Sequence, residues 1–248
     1  MWGFASSPLV TQGVVIVHAG GSADKGILAY DAKTGESKWS IASGDHSYSS
    51  AQLASFDAVS GVLMETNAGL QFVNAMDGKK IWQYDSPSTN YRTLQPLVLG
   101  NSVLLANSMG EGTKRLSVSL NGDQWSIKEE WASREMKPDF NDFVEHKGSL
   151  YGFDGSIFSC IDLATGKRHW KKGRYGNGQV LMLCDAGQML VTSETGELVL
   201  LRADSSSMQE LGKFQAIEGK TWNHSVVVGN KVYLRNAEQA ACYELLTQ

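Results

Sequence analysis

The side chains able to do chemistry are few and scattered. Three cysteines, Cys160, Cys184 and Cys242, are spread over 248 residues. Cys160-Ile161-Asp162-Leu163 and Cys242-Tyr243-Glu244-Leu245 set two of them at equivalent points of repeated segments. That puts them beyond the Cα separation of about 7 Å that a disulfide bridges. They read as buried thiols packed like small hydrophobes, and their spacing suits no metal. His46 and His224 would make a metal pair only if the first and last segments met, and solvated loop histidines are the commoner case. Asp31 and Asp162 sit at turns, where a carboxylate caps backbone N–H groups rather than acting as an acid. Ser6-Ser7 and Ser205-Ser206-Ser207 have no base beside them, so neither is a nucleophile. No helix follows Gly110-Glu111-Gly112, so that loop does not cradle phosphate.

The elements carrying these side chains repeat. Ala29-Tyr30-Asp31-Ala32-Lys33-Thr34-Gly35-Glu36-Ser37-Lys38-Trp39 returns as Cys160-Ile161-Asp162-Leu163-Ala164-Thr165-Gly166-Lys167-Arg168-His169-Trp170. Phe72-Val73-Asn74-Ala75-Met76-Asp77-Gly78-Lys79-Lys80-Ile81-Trp82 is a third copy. Each reads as a strand ending in Asp or Asn, a tight turn closed by Gly, and a strand carrying Trp. A hairpin returning at roughly 40 residues predicts an all-β fold, a β-propeller of four-stranded antiparallel blades.

Six units are visible in one propeller domain over 1–248, at about 7–41, 49–84, 94–131, 141–172, 179–214 and 222–245. The third is degenerate, with Trp125 or Trp131 in the anchor role, and the charged stretch Gln124–Met136 reads as a loop with a short helix. The fifth has lost its Trp. The sixth supplies three strands, and the unpaired edge implies the C-terminal part of a ring of seven or eight blades. Composition agrees with a folded chain: 42% hydrophobic, 19% charged, net charge −4. The acidic balance argues against nucleic acid, and no apolar run reaches the roughly 18 residues of a membrane span. Met1–Pro8 lacks the basic and apolar regions of a signal peptide, and the natural start is expected upstream.

The pattern Ala-x-Asp-x-x-Thr-Gly-x-x-x-Trp resembles the tryptophan-docking motif of quinoprotein propellers, the pyrroloquinoline quinone (PQQ) repeat family. The resemblance implies that Trp39, Trp82 and Trp170 pack between blades, with Gly35, Gly78 and Gly166 at the turns. The order of segments, from Trp2–Pro8 through Tyr151-Gly152-Phe153-Asp154 to Cys242–Leu245, is similar to PQQ-binding-like β-propeller proteins of bacteria, abundant in planctomycetes. Those are typically exported, which implies a periplasmic or otherwise extracytoplasmic setting. In PQQ-dependent dehydrogenases the cofactor lies under a disulfide between adjacent cysteines, with Ca²⁺ on acidic and amide ligands and an Asp base. None of these features carries over residue by residue, since no two cysteines are adjacent here. Other relatives bind no quinone and act as scaffolds, as in the lipoprotein of the outer-membrane barrel-assembly machinery.

In a propeller the residues just before each blade's first strand gather at one channel mouth. Here those positions carry Trp2, His46 and Tyr48, Tyr91 and Arg92, Asn141, Arg174, and Trp222 with His224. Ordinary loop residues would also account for them, but stacking faces and polar groups recur at this one place, as in a ligand or peptide site. The leading expectation is a non-catalytic binding or scaffold propeller that presents this mouth to a protein, small-molecule or glycan ligand, with no cofactor. The alternatives are a PQQ- and calcium-dependent alcohol or sugar dehydrogenase, and a polysaccharide-binding or lyase-like propeller.

Overall fold

A computed structural model describes residues 3–21, 24–45, 47–88, 90–106 and 110–245. The chain falls into two compact units, Met1–Ala132 and Ser133–Gln248. All regular structure of the described residues is antiparallel β, in sheets of the propeller-blade type whose strands follow one another in chain order. No helix of the described residues is long and apolar enough to cross a membrane.

The first unit holds three sheets. The first contains β1 (Leu9–Thr11), β2 (Val14–His18), β3 (Ile27–Asp31) and β4 (Ser37–Ile41). The second contains β5 (Gln52–Phe56), β6 (Val59–Thr66), β7 (Gly69–Val73) and β8 (Lys80–Asp85). The third contains β9 (Leu97–Leu99), β10 (Ser102–Ala106), β11 (Thr113–Asn121) and β12 (Gln124–Ser133). Middle strands such as β7 and β10 are buried along their whole length, and apart from Gln71 and Ser102 they carry no polar side chain. One core lies between the first two sheets, around Ile16, Val62 and Met64. Another joins Phe56, Phe72 and Trp82 to Val103 and Leu116.

The loop with a short helix expected over Gln124–Met136 is instead the ten-residue strand β12. Its charges lie on an outer strand where water and neighbours take them up: Tyr84 Oη donates to Glu129 Oε2 (2.8 Å) and Ser117 Oγ to Glu130 Oε1 (2.7 Å). Trp125, on the same strand, faces Phe72 at 6.5 Å between ring centroids.

The second unit holds three more sheets. The fourth has β13 (Val144–His146), β14 (Ser149–Asp154), β15 (Ile157–Asp162) and β16 (Arg168–Arg174). The fifth has β17 (Gln179–Leu183), β18 (Gln188–Thr192), β19 (Glu197–Arg202) and β20 (Gln209–Gln215). The sixth has three strands among the described residues: β21 (Val226–Val228), β22 (Lys231–Arg235) and β23 (Ala240–Glu244). Lys147 and Gly148, at φ 48° and 79°, form the two-residue turn between β13 and β14, the mirror-image geometry that matches strand twist.

At the repeated turns the Asp or Asn side chain holds the backbone. Asp31 Oδ1 accepts N–H groups of Lys33 (2.9 Å) and Thr34 (3.0 Å), Asp162 Oδ1 that of Thr165 (2.8 Å), and Asn74 Oδ1 that of Met76 (2.8 Å). Backbone donation from Thr34 and Lys33, with Lys38 alongside, pulls the Asp31 carboxyl down to about 2. Trp39 reaches from β4 to the second sheet and gives Nε1–H to Ala75 O (3.0 Å); Trp170 reaches from β16 to the fifth and gives it to Asp204 O (3.0 Å). A Cβ on Gly78 would stand 2.7 Å from the Trp39 ring, so only glycine lets the indole lie on that turn. Trp82 is buried, with its Nε1 unbonded among the described residues.

The three cysteines are free, and only Cys160 is buried; Cys184 and Cys242 are exposed. The expectation of three buried thiols is thereby corrected. Cys160 and Cys242 share one register, opposite Tyr151 and Tyr233. Trp170 on β16 pairs with Cys160, whereas no described strand covers Cys242.

Candidate functional site

The residues expected at the mouth are described within each unit. Trp2 and His46 lie outside the described residues. In the first unit Tyr48 and Tyr91 stack at 4.9 Å with a 50° tilt. Between them the backbone is pinned: Arg92 O accepts from Tyr48 N (2.9 Å), Ser49 N (2.8 Å) and Ser47 Oγ (2.8 Å). Arg92, expected among the ligand groups, points inward. Its Nη1 meets Glu65 Oε1 at 3.2 Å and its Nη2 donates to Ser86 O at 2.7 Å, with the side chain 3% exposed. That pair holds loops together and leaves the two tyrosines half-buried beside it, the Tyr48 hydroxyl turned away from solvent.

In the second unit Gln179, first residue of β17, ties together the segments that precede β13 and β21. Its Nε2 donates to Phe140 O (3.3 Å) and Trp222 O (3.1 Å), while its Oε1 accepts Asp142 N–H (3.3 Å). Asn141 is buried, giving Nδ2–H to Gly178 O (2.8 Å), so it too is structural rather than open to ligand. Arg174 ends β16 with Nη1 on Ser156 Oγ (2.8 Å) and shares no hydrogen bond with this cluster among the described residues.

Trp222 and His224 do come together with partners that the sequence did not point to. Trp222 is 44% exposed, edge-on to Phe140 at 5.0 Å, and its Nε1 donates to Glu194 Oε1 at 2.8 Å. Lys220 Nζ stands 4.7 Å over the indole, within cation–π range. His224 Nε2 lies 2.8 Å from Asp142 Oδ2. The Trp222 N–H lowers the Glu194 carboxyl below its usual range against some burial, helped by Asn177 N–H (3.1 Å). A Cβ on Gly176, at φ +65°, would sit 2.4 Å from Glu194 Oε2, so glycine is what admits the carboxylate. The result is a half-exposed indole held at its edge by Phe140 and at its N–H by a carboxylate, with an ammonium over the ring and the His224–Asp142 pair in the same loop cluster. Such a surface stacks on a ring or anchors a side chain while its rim sets orientation.

A quinone with its calcium would need acidic and amide ligands converging on one point. Among the described residues no three His, Cys, Asp or Glu side chains converge to hold a metal. Asp142 and Glu194 are engaged with His224 and Trp222. The donor set does not fit that cofactor, and no step through it is derived.

Four-stranded meandering sheets joined by indoles reaching the next turn define a β-propeller of the PQQ-repeat class. The family model described as outer membrane protein assembly factor BamB matches residues 3–172, and the chain belongs to that family. Among solved structures, BamB from Moraxella catarrhalis is 18% identical over 96% of this chain and 84% of its own, with a TM-score of 0.54. Kluyveromyces lactis Hsv2 is 11% identical over 96% and 71%, TM-score 0.57. The quinohemoprotein alcohol dehydrogenase of Comamonas testosteroni is 13% identical over 87% of this chain but 43% of its own, TM-score 0.52. At these identities the likeness is one of fold. No curated protein matches the chain.

Proposed function

We propose that this chain is a non-catalytic binding and scaffold propeller, of the exported kind met in planctomycetes, that works outside the cytoplasm and holds a protein partner. The observation that carries the reading is the Trp222 cluster. A half-exposed indole fixed through Glu194 and Phe140 is the type of side chain that dominates protein interfaces. Trp39, Trp82 and Trp170 serve in this reading as docking residues between blades, and the BamB family match supports the extracytoplasmic setting. A glycan ligand is the second reading, favoured by the Glu194 carboxylate on the indole N–H.

Peptides selected by display on the intact chain test the first reading. W222A is expected to weaken them at least tenfold, about 1.4 kcal/mol, at an unchanged melting temperature. Undiminished binding would remove Trp222 from the site, and loss of binding to glycans alone would favour the second reading. Melting with PQQ and Ca²⁺ tests the enzyme alternative. Ligand at a hundred times its Kd adds about 2.7 kcal/mol, a rise of roughly 5–10 °C for a chain of this size. A rise of that size overturns the non-catalytic reading.

A further inference from the structure

The tryptophans of the repeat share one register. Ala29 pairs with Trp39, Phe72 with Trp82 and Cys160 with Trp170, and in each sheet a β-bulge follows at once. The fifth sheet keeps that pairing and bulge, but the residue opposite Leu200 is Gly212. Gly212 thus stands where the other sheets carry an indole. It lies within β20 at an ordinary strand conformation, and a Cβ built on it meets nothing within 4 Å. The position does not call for glycine.

Beside it opens a groove of about 390 Å³, walled by Leu183, Leu190, Leu198, Leu200, Phe214 and Leu245. An apolar cavity of about 150 Å³ already takes a benzene ring, so this one has room for an indole. Phe214 fills only one wall: it packs edge-on to Tyr243 at 5.0 Å and stays 44% exposed. At the matching register elsewhere in the chain an indole is present, with the Trp39 ring lying over Gly78 and Trp170 reaching Asp204 O. Of the groove's walls, Leu245 directly follows β23, whose outer edge is paired by no described strand. A chain arriving in extended form would find backbone partners there.

We infer that this groove is a binding site for a tryptophan side chain presented by another polypeptide in extended form. The occupant is named by the chain itself, which puts an indole at this register in three other sheets and leaves the fifth without one. The site is separate from the Trp222 cluster and does not depend on that reading.

N-acetyl-tryptophanamide, titrated into the intact chain with ¹³C-labelled leucine methyls, tests it. The methyls of Leu198 and Leu200 are expected to shift and saturate with a Kd of about 1 mM, with Leu116 and Leu150 unmoved and N-acetyl-leucinamide at least fivefold weaker. G212W, which supplies the ring internally, is expected to raise the melting temperature and weaken the probe at least tenfold. Methyls that stay still, or equal response to the leucine probe, overturn the inference. So does a folded G212W that still binds. Should G212W fail to fold, the titration of the unaltered chain decides alone.

Discussion

Arg92 Nη1 lies 3.2 Å from Glu65 Oε1, with each side chain only 3% exposed. Burial pushes the Glu65 carboxyl up to about 8, and the charges of Arg92 and Lys114 oppose that without cancelling it. The folded chain therefore holds a proton at Glu65 that the unfolded chain has released. Stability from this group is fully present below about pH 4.5 and is lost as the pH rises towards about 8. Denaturant melts at pH 5, 6, 7 and 8 should show the unaltered chain losing stability relative to E65Q. Parallel pH profiles would contradict this. E65A should cost about 1–3 kcal/mol, because it leaves the Arg92 Nη1 donor buried without its acceptor.

Asp154 carries the opposite sign. Its side chain is 1% exposed and meets Lys171 Nζ (2.6 Å), Arg168 Nη2 (2.8 Å) and Lys137. Burial raises its carboxyl, and Lys137 and Lys171 outweigh that and leave it below the usual range. Its stabilisation is present above the ordinary carboxylate value of 3.8 and disappears as the pH falls through the lower folded value. D154N should cost about 3 kcal/mol at pH 7, and the gap should narrow at pH 3. Equal stability of the two proteins at pH 7 would dismiss the cluster as idle.

Trp39 and Trp82 invite a direct comparison. Trp39 donates to Ala75 O, whereas the buried Trp82 Nε1 has no partner among the described residues. Both W39F and W82F lose ring area. Only W39F also abandons a hydrogen bond, while W82F removes a polar group that burial penalises. W82F should therefore be the milder change by about 1 kcal/mol, read from paired urea melts. A larger loss at W82F would mean that its N–H is bonded in solution.

The thiols should divide two to one. Cys184 and Cys242 are exposed, and burial pushes the Cys160 thiol up to about 12. Since the thiolate is what reacts, a disulfide reagent at pH 8 should modify two cysteines per native chain quickly and the third only on unfolding. Three fast thiols would show that the fourth sheet opens readily.

The fold was legible because its punctuation is local. An Asp or Asn, a Gly and a Trp at fixed offsets specify turn and packing within eleven residues, and the sheets follow. Strand β12 was not legible, since Lys128, Glu129 and Glu130 read as loop when no neighbour is in view. The site was half legible. Trp222 and His224 stood out by their place before a first strand. Glu194 meets Trp222 from 28 residues away, Gln179 from 43, and Glu65 meets Arg92 across 27. Nothing in the intervening sequence announces those encounters. The inward turn of Arg92 and the burial of Asn141 likewise depend on partners contributed by other segments.

Every strand described here pairs only with strands next to it in the sequence. Each sheet can therefore be completed from one short run of chain, with little loop entropy lost before contacts reward it. On a ribosome that adds about 5–20 residues per second, a finished blade can form before the next has emerged. Assembly of this kind proceeds by addition, and an interrupted chain would still carry whole sheets. A missense change would then be felt first by the blade that contains it and by its immediate neighbour.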